Sequence, residues 1–351
     1  MENETAKQEQ TNTKDGIAHR ASDVLSEEGL KKSVEVVGDK FRELTGTEKL
    51  EGFSIGDLFS EIFKKHSVEE VERYFIVGTP GTIPDVKDVN TAWPRPWMFF
   101  KALLGSFVLY VLFVCAWEWF ENINLIPGII VVGAMAIPLA TLLFFFEMNA
   151  LKNVSLYQVL RMVMLGGIVS LIISLLLFEL PLGKLGWMGA SVAGLIEEPG
   201  KLMALLVVAR SAKYRYKLNG LLLGACVGTG FAIFESMGYA FTCLLGGGIK
   251  AMTSNILMRG LLSPLAHIVW TAICGAAMWR VKGDAPFKLA MIKNKKFWGL
   301  FLVPVVLHAI WNADFELPFY GKHIILGLVA WLIVLALVQE GLKEIKAEKS
   351  T

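Results

Sequence analysis

Seven side chains with acid–base or hydrogen-bonding chemistry sit inside apolar stretches of this chain: Glu197, Glu198, Lys201, Glu235, His267, His308 and Asn312. Ionisable groups are expensive in a bilayer, and those that persist face a bundle interior and serve a purpose. The densest group lies in LIEEPGKLMAL, residues 195–205, where Glu197 and Lys201 are i,i+4 neighbours on one helical face. Glu198 is turned about 100° away, so only one of the two carboxylates is expected to point squarely inward. Pro199 removes a backbone hydrogen bond beside them. In GFAIFESMGYA, Phe231 and Glu235 share a face, as do His267 with Thr271 and His308 with Asn312. At about 1.5 Å of rise per residue, Glu197 and Glu235 each fall roughly 15 Å from the span ends near Trp187 and Leu245. On the same count His267 lies roughly 16 Å from Ile256, and His308 about 10 to 14 Å from the end around Asp314 to Leu317. Acids and imidazoles from separate spans are therefore expected at one level, around a shared polar cavity.

Taken singly, each residue has an ordinary explanation. His267 alone reads as a packing histidine bonded to a backbone carbonyl, Thr271 and Phe231 as packing, Lys201 as a neutralising charge, and the Gly224, Gly228, Gly230, Gly238 ladder as close helix contact. Their coincidence in depth favours a site. Three chemistries could use it. In hydrolysis, a carboxylate held near Lys201 takes a proton from a trapped water, while His308 and Asn312 donate to the developing oxyanion. Glu235 beside Glu197 would then form a carboxylate dyad sharing one proton. As a metal site, Glu197, Glu235, His267 and His308 are competent zinc ligands, but no HExxH or CxxC spacing supports that set. Transport coupled to protons or ions also uses midplane carboxylates, and here inverted repeats are missing. The hydrolytic reading without a required metal is preferred, with zinc and ion transport as alternatives.

The elements that must position these groups follow from the composition. Across 351 residues the chain is 54% hydrophobic and 19% charged, with a mean hydropathy of +0.52, too apolar for an ordinary soluble protein of this length. An all-α polytopic membrane protein is predicted. Eight apolar stretches approach the ~20 residues needed to cross hydrocarbon: 98–117, 125–146, 160–178, 186–209, 218–245, 256–279, 298–315 and 323–341. The polar cavity falls between the fourth and seventh of them. Arg210, Lys213, Arg215 and Lys217 load one connection, and Arg280, Lys282, Lys288, Lys293, Lys295 and Lys296 another, whereas the alternate connections are poor in cations. That asymmetry places both termini in the cytoplasm of a cell-membrane protein. The formal net charge of +2 gives no reason to expect nucleic-acid binding. Four cysteines, Cys115, Cys226, Cys243 and Cys274, all lie in apolar runs and read as packing residues.

Residues 1–96 are expected as a polar cytoplasmic tail, 97–342 as the membrane domain and 343–351 as a basic tail. No removable signal peptide is apparent, so the first span acts as its own insertion signal. Short amphipathic helices are predicted near Ser26–Leu44 and Ser54–Lys65, with a third beginning at Ser67, whose SVEE has capping-box form. Pro80, Pro84, Pro94 and Pro96 then break any helix ahead of the interfacial Trp93 and Trp97. A tail with a linker is preferred here to a regulatory domain.

The motifs carry a family resemblance. EEPGK at Glu197–Lys201 fits EExxK, and FAIFE at Phe231–Glu235 fits FxxxE, of the PrsW-type intramembrane proteases. That family is similar to the wider superfamily of CAAX prenyl endopeptidases, whose pattern pairs a double glutamate with FxxxH and a later HxxxN; HAIWN, His308–Asn312, matches the last element. The resemblance implies a multi-helix peptidase whose glutamate-activated water cuts a membrane-protein substrate, such as a single-span anti-sigma factor; the common depth of the polar residues predicts a site opening toward the outer leaflet. It implies Glu197 as general base, Glu198 as its partner, and His308 with Asn312 as the oxyanion pocket. Glu235 stands where the prenyl peptidases have histidine, so prenylated substrates are not expected.

Overall fold

The computed structural model describes Val36 and residues 38–350. Two compact units divide it, residues 1–46 and 47–351. In the first, a helix runs over 38–45, while residues 26–35 of the predicted Ser26–Leu44 helix lie outside the described residues. All regular structure among the described residues is helical.

In the second unit, α1 (Val68–Phe75) begins where the capping box predicts it. The Glu70 N–H donates to Ser67 Oγ at 3.2 Å and the Ser67 N–H to Glu70 Oε2 at 3.0 Å. The helix predicted near Ser54–Lys65 shrinks to the single turn Ile55–Leu58. Aromatic contacts account for the difference: Phe59 packs on Phe99 and Phe144, and Phe63 on Phe100, which fixes the chain as successive turns across neighbouring rings.

Eight helices follow: α2 (Met98–Phe120), α3 (Ile126–Met148), α4 (Leu156–Phe178, with a π turn at Met162–Gly166), α5 (Val192–Ala209), α6 (Lys217–Leu262), α7 (His267–Lys282), α8 (Lys295–Trp311) and α9 (Gly321–Lys349). Among the described residues, five helical segments are long and apolar enough to cross a membrane: Met98–Phe120, Ile123–Met148, Leu156–Phe178, Lys217–Lys282 and Pro318–Lys349. The protein is thus a polytopic, all-helical membrane protein. α5, with 18 residues including Glu197, Glu198 and Lys201, and α8, with 17, fall outside those five. These are two of the helices that carry the polar residues.

The predicted span 256–279 is not one helix. α6 turns at Gly248, whose φ of 71° and ψ of −169° only glycine adopts freely. A second break follows at Ser263–Leu265, where Pro264 lacks the N–H a continuing helix needs, and α7 starts at His267. His267 is therefore at a helix start, held there by close backbone approach. A Cβ on Gly228 would lie 2.5 Å from the His267 carbonyl oxygen, so glycine is required at that contact.

One end of the bundle gathers the basic connections. There Lys282 Nζ donates to the Ser211 carbonyl at 3.2 Å, and Arg280 pairs with Glu340 at 2.9 Å. Residues 47–97 join the same end, with the Glu51 N–H on Gln339 Oε1 at 2.6 Å and Lys343 on Glu48 at 2.7 Å. Buried Glu147 accepts the N–H groups of Trp97, Met98 and Phe99, each at 2.9 Å, and so caps the start of α2 from α3. Glu147→Ala is expected to strand those three donors and cost about 1–3 kcal/mol. A lowered thermal midpoint and faster protease nicking near Trp97 in detergent would report it; an unchanged midpoint would contradict the role.

Candidate active site

α5 brings Glu197, Glu198 and Lys201 to one point, and both carboxylates reach it. Lys201, fully buried, donates to Glu198 Oε1 at 2.7 Å and to Glu197 Oε2 at 3.4 Å. The expectation that only one of the pair could face inward is corrected by that bifurcation: spacings of three and four residues both close on a flexible lysine stem. The same ammonium lies 2.9 Å from His267 Nδ1 and 4.1 Å from the centre of the Phe231 ring. Phe231 of the FxxxE stretch is thereby a cation–π support for the lysine.

Two imidazoles flank Glu197. His308 Nδ1 is 2.9 Å from Glu198 Oε1, leaving Nε2 facing Glu197 Oε2 at 3.8 Å. His267 Nε2 is 3.0 Å from Glu235 Oε2, leaving Nδ1 facing Glu197 Oε2 at 4.0 Å. Because Glu198 and Glu235 only accept, these contacts assign Nδ1–H to His308 and Nε2–H to His267. His308 then presents its Nε2 lone pair toward Glu197, while the His267 Nδ1 lone pair accepts from Lys201 at 2.9 Å with Glu197 beyond it. Glu235 forms no dyad with Glu197, because the His267 ring bridges the two carboxylates. Arg259, from the arm of α6 beyond Gly248, pairs with Glu235 and also donates to Ser236 Oγ at 3.0 Å.

Asn312 stands apart. It is the residue after α8, where its N–H donates to the His308 carbonyl at 3.2 Å. Together with Gly186–Ser191, Trp311, Ala313, Asp314, Glu316, Lys322 and His323, Asn312 lines an open cleft of about 860 Å³ at the end opposite the basic connections.

Trp270 and Arg259 were not singled out for the site from the sequence, whereas Cys274 and Thr271 were read as packing. Trp270, wholly buried, stacks on His308 with ring centres 4.6 Å apart. Cys274 places Sγ 3.7 Å from Glu198 Oε2, a contact within its packing role. Thr271 donates to the His267 carbonyl at 2.7 Å, as packing requires. Arg259 had a sequence signal: an arginine inside an apolar stretch needs a carboxylate partner. Trp270 had none, since a tryptophan in an apolar run looks the same whether it packs against lipid or against a histidine.

Residues 138–338 match the family described as PrsW family intramembrane metalloprotease. The chain belongs to that family. It is 26% identical over 215 residues to Protease PrsW of Halalkalibacterium halodurans, covering 58% of this chain and 90% of that one. It is also 26% identical over 192 residues to Protease PrsW of Clostridioides difficile, covering 51% of this chain and 75% of that one. No solved structure matches. The membrane-embedded endopeptidase expected from EExxK and FxxxE is what the family membership supports.

The family's description raises a metal, and the donor set here fits one. Glu197, His267 and His308 offer ligand atoms all within 4.8 Å of one another. Two imidazoles and a carboxylate with one open position is a catalytic zinc donor set. Each imidazole has its far nitrogen held by a carboxylate, as zinc-binding histidines do. Three carboxylates, Glu197, Glu198 and Glu235, face two cations, Lys201 and Arg259, which leaves room for further positive charge. Glu235, expected among the ligands, instead holds the outer nitrogen of His267.

Proposed function

We propose that Glu197, His267 and His308 form the hydrolytic centre of this intramembrane endopeptidase, and that the three together hold a divalent ion, zinc by donor type. The observation that carries this reading is that two ring nitrogens, His267 Nδ1 and His308 Nε2, lie 4.0 and 3.8 Å from Glu197 Oε2. Lys201, which donates to His267 Nδ1, would turn to Glu198 when an ion binds. When bound, zinc acidifies a water and polarises the scissile carbonyl. Every contact described above for Glu197 is made through Oε2; its other oxygen takes the water proton and passes it to the leaving amine. Glu198 and Glu235 keep the two rings in the required tautomers. Lys201 keeps the buried carboxylates ionised and oriented, and Asn312 donates to the oxyanion from the cleft side of α8. The substrate is a membrane-anchored polypeptide, with a single-span anti-sigma factor as the leading class.

Eight crossings complete this picture. α6 makes one with residues 217–247, its second arm with α7 makes another, and the short α5 and α8 cross alongside α2, α3, α4 and α9. The basic connections then lie in the cytoplasm with both termini, and the cleft opens on the outer side.

Metal analysis of the purified chain in detergent tests the centre without relying on activity. About one zinc per chain is expected, retained in Asn312→Ala and lost from His308→Ala. In the same preparations, chelation should stop cleavage of a reconstituted single-span substrate and zinc should restore it. Full cleavage by a zinc-free, chelator-treated chain would overturn the metal and leave Lys201 as the cation of the site. The ion-carrier alternative expects an ion flux in vesicles that Glu197→Gln abolishes; equal flux in both chains removes it.

A further inference from the structure

We infer that the cleft beside Asn312 is the subsite that takes the substrate's extended flank just outside the membrane, and that it selects a flank bearing Lys or Arg. The inference rests on the hydrolytic reading above and adds the substrate chemistry. At about 860 Å³ the cleft is at the upper end of ordinary ligand-pocket size. Two tryptophans in series separate it from the site. His323 packs edge-on against Trp311 at 4.4 Å, Trp311 against Trp270 at 5.3 Å, and Trp270 stacks on His308. A peptide seated there passes Asn312 on its way to His308.

The cleft has a built polar floor. His323 is only 9% exposed, and its Nδ1 has no hydrogen-bond partner among the described residues. That nitrogen faces Glu316 Oε2 at 3.8 Å, which ties the ring to the 313–316 turn. Lys322 does not compete for the occupant. Its ammonium is spent on the Ala313 and Phe315 carbonyls, at 2.9 and 2.7 Å, and on Glu316 at 3.2 Å, which fixes the 313–316 turn as a wall. Asp314 is exposed at the rim and in no ion pair among the described residues, so the mouth presents its carboxylate, while Glu316, 67% exposed, is held by Lys322. Trp187 in its lining is 83% exposed, as an aromatic at a membrane surface is. An occupant at that level, entering beside a bilayer, is the juxtamembrane stretch of an anchored chain rather than a free solute.

The test uses the full chain in vesicles with synthetic single-span peptides that differ only in the outer flank, carrying Lys, Ser or Glu. Wild type should bind and cut the Lys-flanked peptide best. Asp314→Asn should raise KM for that peptide roughly fivefold, the size of an exposed ion-pair effect, leave kcat within a factor of two, and leave the Ser-flanked peptide unaffected. His323→Ala should raise KM for all three. Zinc content of each variant checks folding. Where His323→Ala fails that check, a Ser191→Cys chain should form a disulfide with a cysteine in the peptide flank and not with one at its opposite end. Unchanged KM for every flank, or cross-linking equal at both ends, overturns the subsite. Failure of the hydrolytic reading looks different: the Glu197→Gln chain would still cut, whatever the flank.

Discussion

Glu197→Gln is expected to fold, hold the same neighbours and lose cleavage by roughly 10²–10⁴-fold, the range for removing a positioned general base. The separation of folding from activity follows from how Lys201 is shared. The ammonium is closer to Glu198, at 2.7 Å, than to Glu197, at 3.4 Å. Neutralising Glu197 therefore leaves a buried Lys201–Glu198 pair intact. Glu198→Gln is the informative contrast, because it removes the partner of Lys201 and the acceptor that fixes the His308 tautomer at once. Stability and activity should then fall together. Thermal unfolding in detergent beside turnover of a reconstituted substrate separates the two variants. Equal activity of Glu197→Gln and wild type would remove Glu197 from the chemistry.

Lys201→Met should be the most destabilising change near the site, costing about 3–5 kcal/mol, as removal of one partner from a buried ion pair does. Methionine fills much of the volume, so the loss is electrostatic. Glu197 and Glu198 would lose their cation, with Arg259 paired only to Glu235, and Phe231 would lose the charge over its ring. Added zinc should recover part of the midpoint, since it supplies positive charge at the same carboxylates. A Lys201→Met chain with an unchanged midpoint would mean that the carboxylates do not depend on the ammonium.

Much of this site was legible because buried charge is rare and helical rise is fixed. Depth counting on Glu197, Glu235, His267 and His308 placed side chains at one level that do meet in the structure, and the i,i+4 spacing of Glu197 and Lys201 is a real contact. What counting could not see is direction across a break. Span 256–279 reads as one apolar run, because Pro264 sits among leucines that satisfy any hydropathy window, yet the chain restarts at His267. Arg259 and His267 converge on Glu235 only because of the turns at Gly248 and Pro264. Asn312 shares a helical face with His308 by spacing, but α8 ends at Trp311 and Asn312 lines the cleft. Near the N-terminus, Ser67 and Glu70 signalled a helix locally, while the docking of Phe59 and Phe63 depended on rings some forty or more residues away as well as on nearer ones.

The most direct test of a single shared centre is a mutant cycle on cleavage rate: Glu197→Gln, His308→Ala and the double variant, assayed with one reconstituted substrate. Residues that act as a unit are strongly non-additive, so the double variant should be no slower than the worse single one. If the two losses multiply, Glu197 and His308 act at separate places and the centre built from α5, α7 and α8 does not exist.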